Sequence, residues 1–357
     1  MDGYELTSEP FFFNTGTGVK KFRGKSKACN QPILAKCHDI QFVTKPQFIE
    51  DFTKVMNAGL AQARVDHRHA CKILDFGLDV NTERNLFSVF HVLEALPKDV
   101  EQNIKERKQD HRIPSEDEVK MLLLQIAQAL AYAHENQIAH RDIKPNNIFM
   151  EREGFYKIGD FGSYFEKKGG RAAVTSLGIG TLPYMSPGQR GLIGGDVESY
   201  DAYKSDVFSL GLTALTFATV TLLEKPWPLE TFGQKVEATM QGVHCSDPLK
   251  NLIRSMLAFD EGARPNMQYV CDVLDPPKLP PTVAAARNEE PVYQPTQPEE
   301  SKLPPTVTAG RNEPPKPAVR PEESISPPYP TPPPQTQLVR LTESTIEFLD
   351  FQREVVP

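Results

Sequence analysis

Proline divides this chain, and the division limits how much of it can fold. Twenty of its 32 prolines fall in the 82 residues from Pro276 to Pro357, against 12 in the first 275. Proline lacks a backbone N–H and fixes φ, so this density interrupts helices and central strands alike. The tail also repeats itself: residues 278–291 recur as 302–315, with 11 of 14 positions identical at an offset of 24. Two copies are too few to bury a shared face by stacking. The tail's few large apolar side chains would return less on burial than ordering its backbone costs. Residues 276–336 are therefore expected to be disordered, extended and solvated. Leu338, Leu341, Ile346, Leu349 and Val356 predict a short amphipathic helix over 337–357 that forms only on a partner. Residues 326–334 could dock onto a protein that reads polyproline; a plain spacer is the simpler role.

The folded part must then lie within residues 1–275. A formal net charge of −7 gives no electrostatic case for nucleic acid as partner. The five cysteines, Cys29, Cys37, Cys71, Cys245 and Cys271, are odd in number and widely spaced. That excludes a disulfide framework and favours a reducing, cytoplasmic setting, without excluding the nucleus. The most apolar stretch, 210–223, has 14 residues and four threonines. It is too short and too polar for a membrane span, which takes about 20 apolar residues. The N-terminus lacks the basic and apolar regions of a secretory signal.

Secondary-structure signals change along this part. Residues 9–14, 18–23, 32–36, 72–76 and 85–93 read as strands, and one helix begins at Pro46 with Phe48, Phe52, Val55 and Met56 near one face. Beyond Ile113, Ser115 and Glu118 form a capping box, and Val119, Leu122, Leu123, Ile126 and Leu130 continue at helical spacing to about Glu135. Further helices are predicted near 205–221 and 248–258. The fold class is α+β, with strands first, helices later and a hinge near 94–101.

At that junction lie His140, Arg141, Asp142, Lys144, Pro145 and Asn147, followed by Asp160, Phe161 and Gly162. Pro145 excludes helix for the preceding residues, so Asp142 and Lys144 share a loop. Asn147 and Asp160 offer hard oxygen ligands of the kind Mg²⁺ takes. A carboxylate to orient a hydroxyl, a lysine to offset growing charge and a divalent-ion site are the parts phosphoryl transfer needs.

These residues resemble the eukaryotic protein kinase family, through its H-R-D-x-K-x-x-N loop and its D-F-G triplet. The resemblance covers about residues 4–275. It implies a bilobal fold, with an N-lobe over 4–93, a hinge at 94–97 and a C-lobe over 98–275. It implies ATP and Mg²⁺ as cofactors and protein substrates, with Lys144 pointing to the serine/threonine branch. Asp142 would then be the base-like residue, Lys144 would approach the transferred phosphate, and Asn147 and Asp160 would hold the metal. Gly16, Gly18 and Val19 resemble the glycine-rich phosphate loop and Lys36 the nucleotide-binding lysine. Glu94 and Leu96 resemble the adenine-binding hinge, behind Leu93 as gate. Thr181 would line the substrate site, and Asp206 would brace the catalytic loop. Thr175 and Ser176 are candidate phosphorylation sites for Arg141 to read, against a plain reading as loop hydroxyls.

Three departures stand out. Lys20 and Lys21 occupy the region of the third glycine. Ala58 stands where the resemblance expects a helix glutamate to pair with Lys36, which predicts an unpaired lysine. Gly188 replaces the glutamate of A-P-E, which predicts a partnerless Arg264. The alternative to an active enzyme is a pseudokinase scaffold that gathers partners through its tail. A zinc site at His67, His69 and Cys71 lacks a second ligand cluster and reads better as loop and strand.

Overall fold

A computed structural model describes residues 3–14, 18–161, 165–166 and 180–276. Gly16, Gly162, Thr175, Ser176, both tail repeats and the 337–357 segment lie outside the described residues.

The first half is built on one antiparallel sheet. Its strands are β1 (Tyr4–Leu6), β2 (Phe12–Phe13), β3 (Val19–Ser26), β4 (Pro32–Gln41), β5 (Ile73–Asn81) and β6 (Leu86–Glu94). The order is β1-β3-β4-β6-β5, with β2 also pairing β3. Ile33, Ala35 and Cys37 alternate inward along β4, as period-two side chains do. One cross-strand row is decisive for the site: Lys21 on β3 pairs with Lys36 on β4, which pairs with His91 on β6, which pairs with Phe76 on β5. Cross-strand partners share a sheet face, so these four side chains project to the same side.

Helix α1 (Lys45–Arg64) covers that side. Thr44 caps it and Pro46 sits in its first turn, where the missing N–H costs nothing. Phe48 packs with Ile40, Phe87 and Val89, supported by Phe52, Val55 and Met56 as the spacing predicts. Gly59 lets the helix approach closely, since a Cβ there would lie 2.4 Å from Phe76 Cε1 and 2.8 Å from His91 Nε2.

The second half is helical. A three-residue link leads from β6 to β7 (Lys98–Asp99) and α2 (Val100–Gln109). Helix α3 (Glu116–Glu135) carries both bonds of the Ser115–Glu118 capping box and buries Leu122, Leu123, Ile126 and Leu130 completely. Then come β8 (Ile138–Ala139), a 3₁₀ turn at Pro145–Asn147, β9 (Ile148–Arg152), β10 (Phe155–Ile158) and β11 (Phe165–Glu166). Strands β9, β10 and β7 form one small sheet, and β11 pairs with β8. The remaining helices are α4 (Pro187–Gly194), α5 (Ala202–Ala218), α6 (Phe232–Met240), α7 (Asp247–Met256) and α8 (Met267–Leu274). Helix α5 is buried at nearly every position, which makes it the core of this half. No helix among the described residues is long and apolar enough to cross a membrane.

Candidate active site

The loop after β8 is held by one buried carboxylate. Asp206, on α5, is fully buried and accepts from His140 N at 2.8 Å, Arg141 N at 2.7 Å and His134 Nε2 at 2.9 Å. Charge-assisted bonds of this kind fix a backbone that would otherwise relax, and Arg141 sits at φ 65°. The His140 ring lies 4.5 Å from that of Phe161. Its Nδ1 accepts from Asp142 N at 3.2 Å and its Nε2 lies 3.0 Å from Gly159 O. That pattern assigns the neutral tautomer protonated at Nε2. The histidine therefore ties the loop to the residue before Asp160.

Asp142 is the hub of a polar cluster. Its Oδ1 accepts from Thr181 Oγ1 at 2.8 Å, and its Oδ2 lies 2.8 Å from Lys144 Nζ. Asn147 Nδ2 donates to the Asp142 backbone oxygen at 2.8 Å and to Oδ2 at 3.1 Å. Lys144 also donates to Thr181 Oγ1. Asn147 reaches the second group of residues through its backbone, since Gly159 N donates to Asn147 O at 2.9 Å.

That second group lines a cavity of about 470 Å³ between the sheet and the helical half, which is ample for a nucleotide-sized ligand. Lys36, Leu93, Leu96 and Asp160 line it, and Glu94 contributes to its edge. Lys36 Nζ lies 2.6 Å from Asp160 Oδ1. Burial alone would push the Asp160 carboxyl up, but the Lys36 and Lys21 ammoniums outweigh it and hold the group well below the usual carboxylate range. The Glu94 carboxylate is taken up by two donors: Oε1 accepts from Lys72 N at 2.8 Å and Oε2 from Lys157 Nζ at 2.7 Å. It braces the link, and Ala95, Leu96 and Pro97 line the cavity beside it.

The protein kinase domain family matches residues 50–273, more than half of the chain. The chain belongs to the protein kinase family. Relatives include a membrane-associated tyrosine- and threonine-specific cdc2-inhibitory kinase of Caenorhabditis elegans, 34% identical over 47% of this chain and 23% of the relative. A probable serine/threonine-protein kinase of Dictyostelium discoideum is 33% identical over 49% and 16%. An Aurora kinase of Patiria pectinifera is 34% identical over 43% and 36%. The chain thus spans well under half the length of these three relatives.

Two expectations are corrected. Lys36 is not unpaired. Helix α1 does place Ala58, not an acid, at the cavity wall, and Glu50 is exposed a long way up the helix. Asp160 takes the role of partner instead. Gln62, one turn after Ala58, ties the helix to the site by accepting from Phe161 N at 3.4 Å and donating to Cys71 O at 3.0 Å. Nor is Arg264 partnerless. It donates to the backbone oxygens of Ala258 at 2.7 Å, Phe259 at 2.9 Å and Lys204 at 3.2 Å, and stacks 5.0 Å from the Phe208 ring. Burial lowers its pKa to about 10, with nearby Glu261 acting in the opposite sense. A side chain at Gly188 has no room, since its Cβ would come within 2.8 Å of Tyr200 Cβ.

Gly18 and Val19 do not line the cavity; Lys21, Gly24 and Phe12 do. Gly18 has φ 69°, a turn conformation suited to glycine. Arg141 is buried beside the Tyr200 hydroxyl. His69 bonds through Nδ1 to Tyr156 O at 2.8 Å, the loop-and-strand role expected. Sequence reading missed Lys21, Gln62 and the paired imidazoles of His38 and His91, whose rings lie 5.1 Å apart.

The family normally works with ATP and Mg²⁺. The donor chemistry fits a hard divalent ion: the Asp160 carboxyl is kept anionic, and Asn147 keeps its amide oxygen while its amide nitrogen is spent on Asp142.

Proposed function

We propose that this chain is an ATP- and Mg²⁺-dependent protein kinase that phosphorylates serine and threonine hydroxyls. The observation that carries this reading is the hydrogen-bonded cluster of Asp142, Lys144, Asn147 and Thr181, joined through Gly159 to the Lys36–Asp160 pair at the cavity.

The roles follow from placement. Asp142 presents Oδ1 to Thr181, and there it would orient a substrate hydroxyl and take up its proton. Lys144 sits within reach of the same oxygens and offsets the charge that builds on the transferred group. Lys36 holds phosphate oxygens on the cavity side. Asn147 and Asp160 would hold Mg²⁺, which when bound neutralises charge on the nucleotide's phosphates. Leu96 and its neighbours provide the apolar walls for a base. A non-catalytic scaffold finds no support among the relatives, and the side chains that would touch the reacting groups, Asp142, Lys144, Asn147 and Asp160, are brought together.

The reading is tested by incubating the full chain with γ-labelled ATP, Mg²⁺ and mixed protein substrates, then hydrolysing the products. Label on phosphoserine and phosphothreonine supports it. Label on phosphotyrosine alone overturns the specificity, and no label above the Asp142→Ala background overturns the activity.

A further inference from the structure

The cross-strand row that delivers Lys36 to the cavity delivers a second lysine beside it. Lys21 pairs directly with Lys36 in the β3–β4 ladder, so both side chains leave the sheet on one face. Lys21 Nζ lies 3.9 Å from Asp160 Oδ2, while Lys36 Nζ lies 2.6 Å from Oδ1. One carboxylate therefore faces two ammoniums. Asp99 is the other acid in the neighbourhood of Lys21, and its side chain is occupied in capping α2. Lys20, the adjacent residue, takes the opposite face and is matched by Asp39 at 2.6 Å. The Phe12 ring lies 5.2 Å from Lys21 Nζ. Lys21 is thus walled into the cavity, largely desolvated and short of negative charge.

A surface lysine would point to water, and a structural lysine would have a carboxylate of its own. Lys21 has neither. Helix α1 also offers Ala58 instead of an acid, so among the described residues Asp160 is the carboxylate that orients Lys36. The excess positive charge at the cavity calls for a polyanion.

We propose that Lys21 is a second phosphate-binding residue, sharing the polyphosphate of the nucleotide with Lys36, so that neither lysine alone is indispensable for binding. This rests on the nucleotide reading given above. It places part of the phosphate recognition on a strand, where register fixes it, rather than on the glycine-rich turn.

The test is calorimetric binding of ADP with Mg²⁺ to the full chain, with a circular dichroism melt for each variant. Lys21→Met and Lys36→Met should each weaken binding about tenfold, as loss of one charge-assisted contact does, and the double variant about 100-fold. Lys21→Arg should keep most of the affinity, and Lys20→Met should bind as the wild type does. Wild-type affinity in Lys21→Met overturns the proposal, as does complete loss of binding in Lys36→Met with a normal melt. Absence of binding by the wild-type chain overturns the nucleotide reading itself.

Discussion

Stability should fall steeply between pH 7.5 and pH 5, because two imidazoles, His91 buried and His38 half-buried, lie side by side where desolvation disfavours charge. Burial, with help from the Lys36 ammonium, lowers the pKa of His38 to about 3 and that of His91 to about 4. Asp160 and, for His38, Asp39 act in the opposite sense and are outweighed. Both histidines titrate near 6.5 once unfolded. The unfolded chain therefore binds more protons than the native one as pH drops below 6.5, and stability is lost until the folded values are passed. From pH 7.5 to pH 5 each group costs about 2 kcal/mol, so the pair costs about 4 kcal/mol. That is a large share of an ordinary domain's stability of roughly 5–15 kcal/mol. Carboxylates held low, such as Glu116, begin to matter only below their unfolded values near 4.5. His67 and His69, also lowered by burial, contribute in the same direction. Comparison with a His38→Leu/His91→Leu variant isolates the pair. Urea unfolding followed by circular dichroism at pH 7.5, 6.5, 5.5 and 5.0 should show the wild type losing about 4 kcal/mol more than the variant over this range. Equal losses in the two proteins would refute the reasoning.

Three further outcomes follow from particular contacts. Asp206→Ala removes the acceptor for three donors, two of them backbone amides of the catalytic loop, and should cost about 3–5 kcal/mol in unfolding free energy and most of the transfer rate. Gly59→Ala forces a methyl against Phe76 and His91 and should destabilise by about 1–3 kcal/mol in a denaturant titration. Leu123→Ala, in the fully buried face of α3, should cost about 2–5 kcal/mol with the Michaelis constant for ATP unchanged.

How much of this was legible in advance depended on how local each signal is. Helix α1 announces itself through Pro46 and an apolar face, and begins one residue before that proline; α3 announces itself through its capping box and periodic apolar residues, and ends at Glu135 as they predict. Helix α2 was missed because only Val100 and Ile104 among its ten residues bury apolar side chains. Helix α4 was missed because Gly188, Gly191 and Gly194 argue against a helix, and Ser186 with its capping box overrides them. The strand expected over 9–14 shrinks to Phe12–Phe13. Asp142, Lys144 and Asn147 were readable because their loop is contiguous. The Lys36–Asp160 pair joins residues 124 positions apart, and no spacing announces it. Lys21 was hidden for a different reason. Neighbouring strand residues face opposite ways, so a register slip of one would exchange Lys20 for Lys21 at the cavity. Only the observed pairing with Lys36 decides between them. Gln62 left a faint trace, as a polar residue one turn from Ala58 on a buried helix face.

Asp142→Asn gives the sharpest test of the whole account, because it keeps the shape of the catalytic loop while removing the charge that orients the hydroxyl. Phosphoryl transfer should fall by about 10²–10⁴, while ADP binding measured in parallel stays at the wild-type value. Transfer at the wild-type rate, or loss of nucleotide binding together with transfer, would contradict the assignment of Asp142 and the division of labour between loop and cavity.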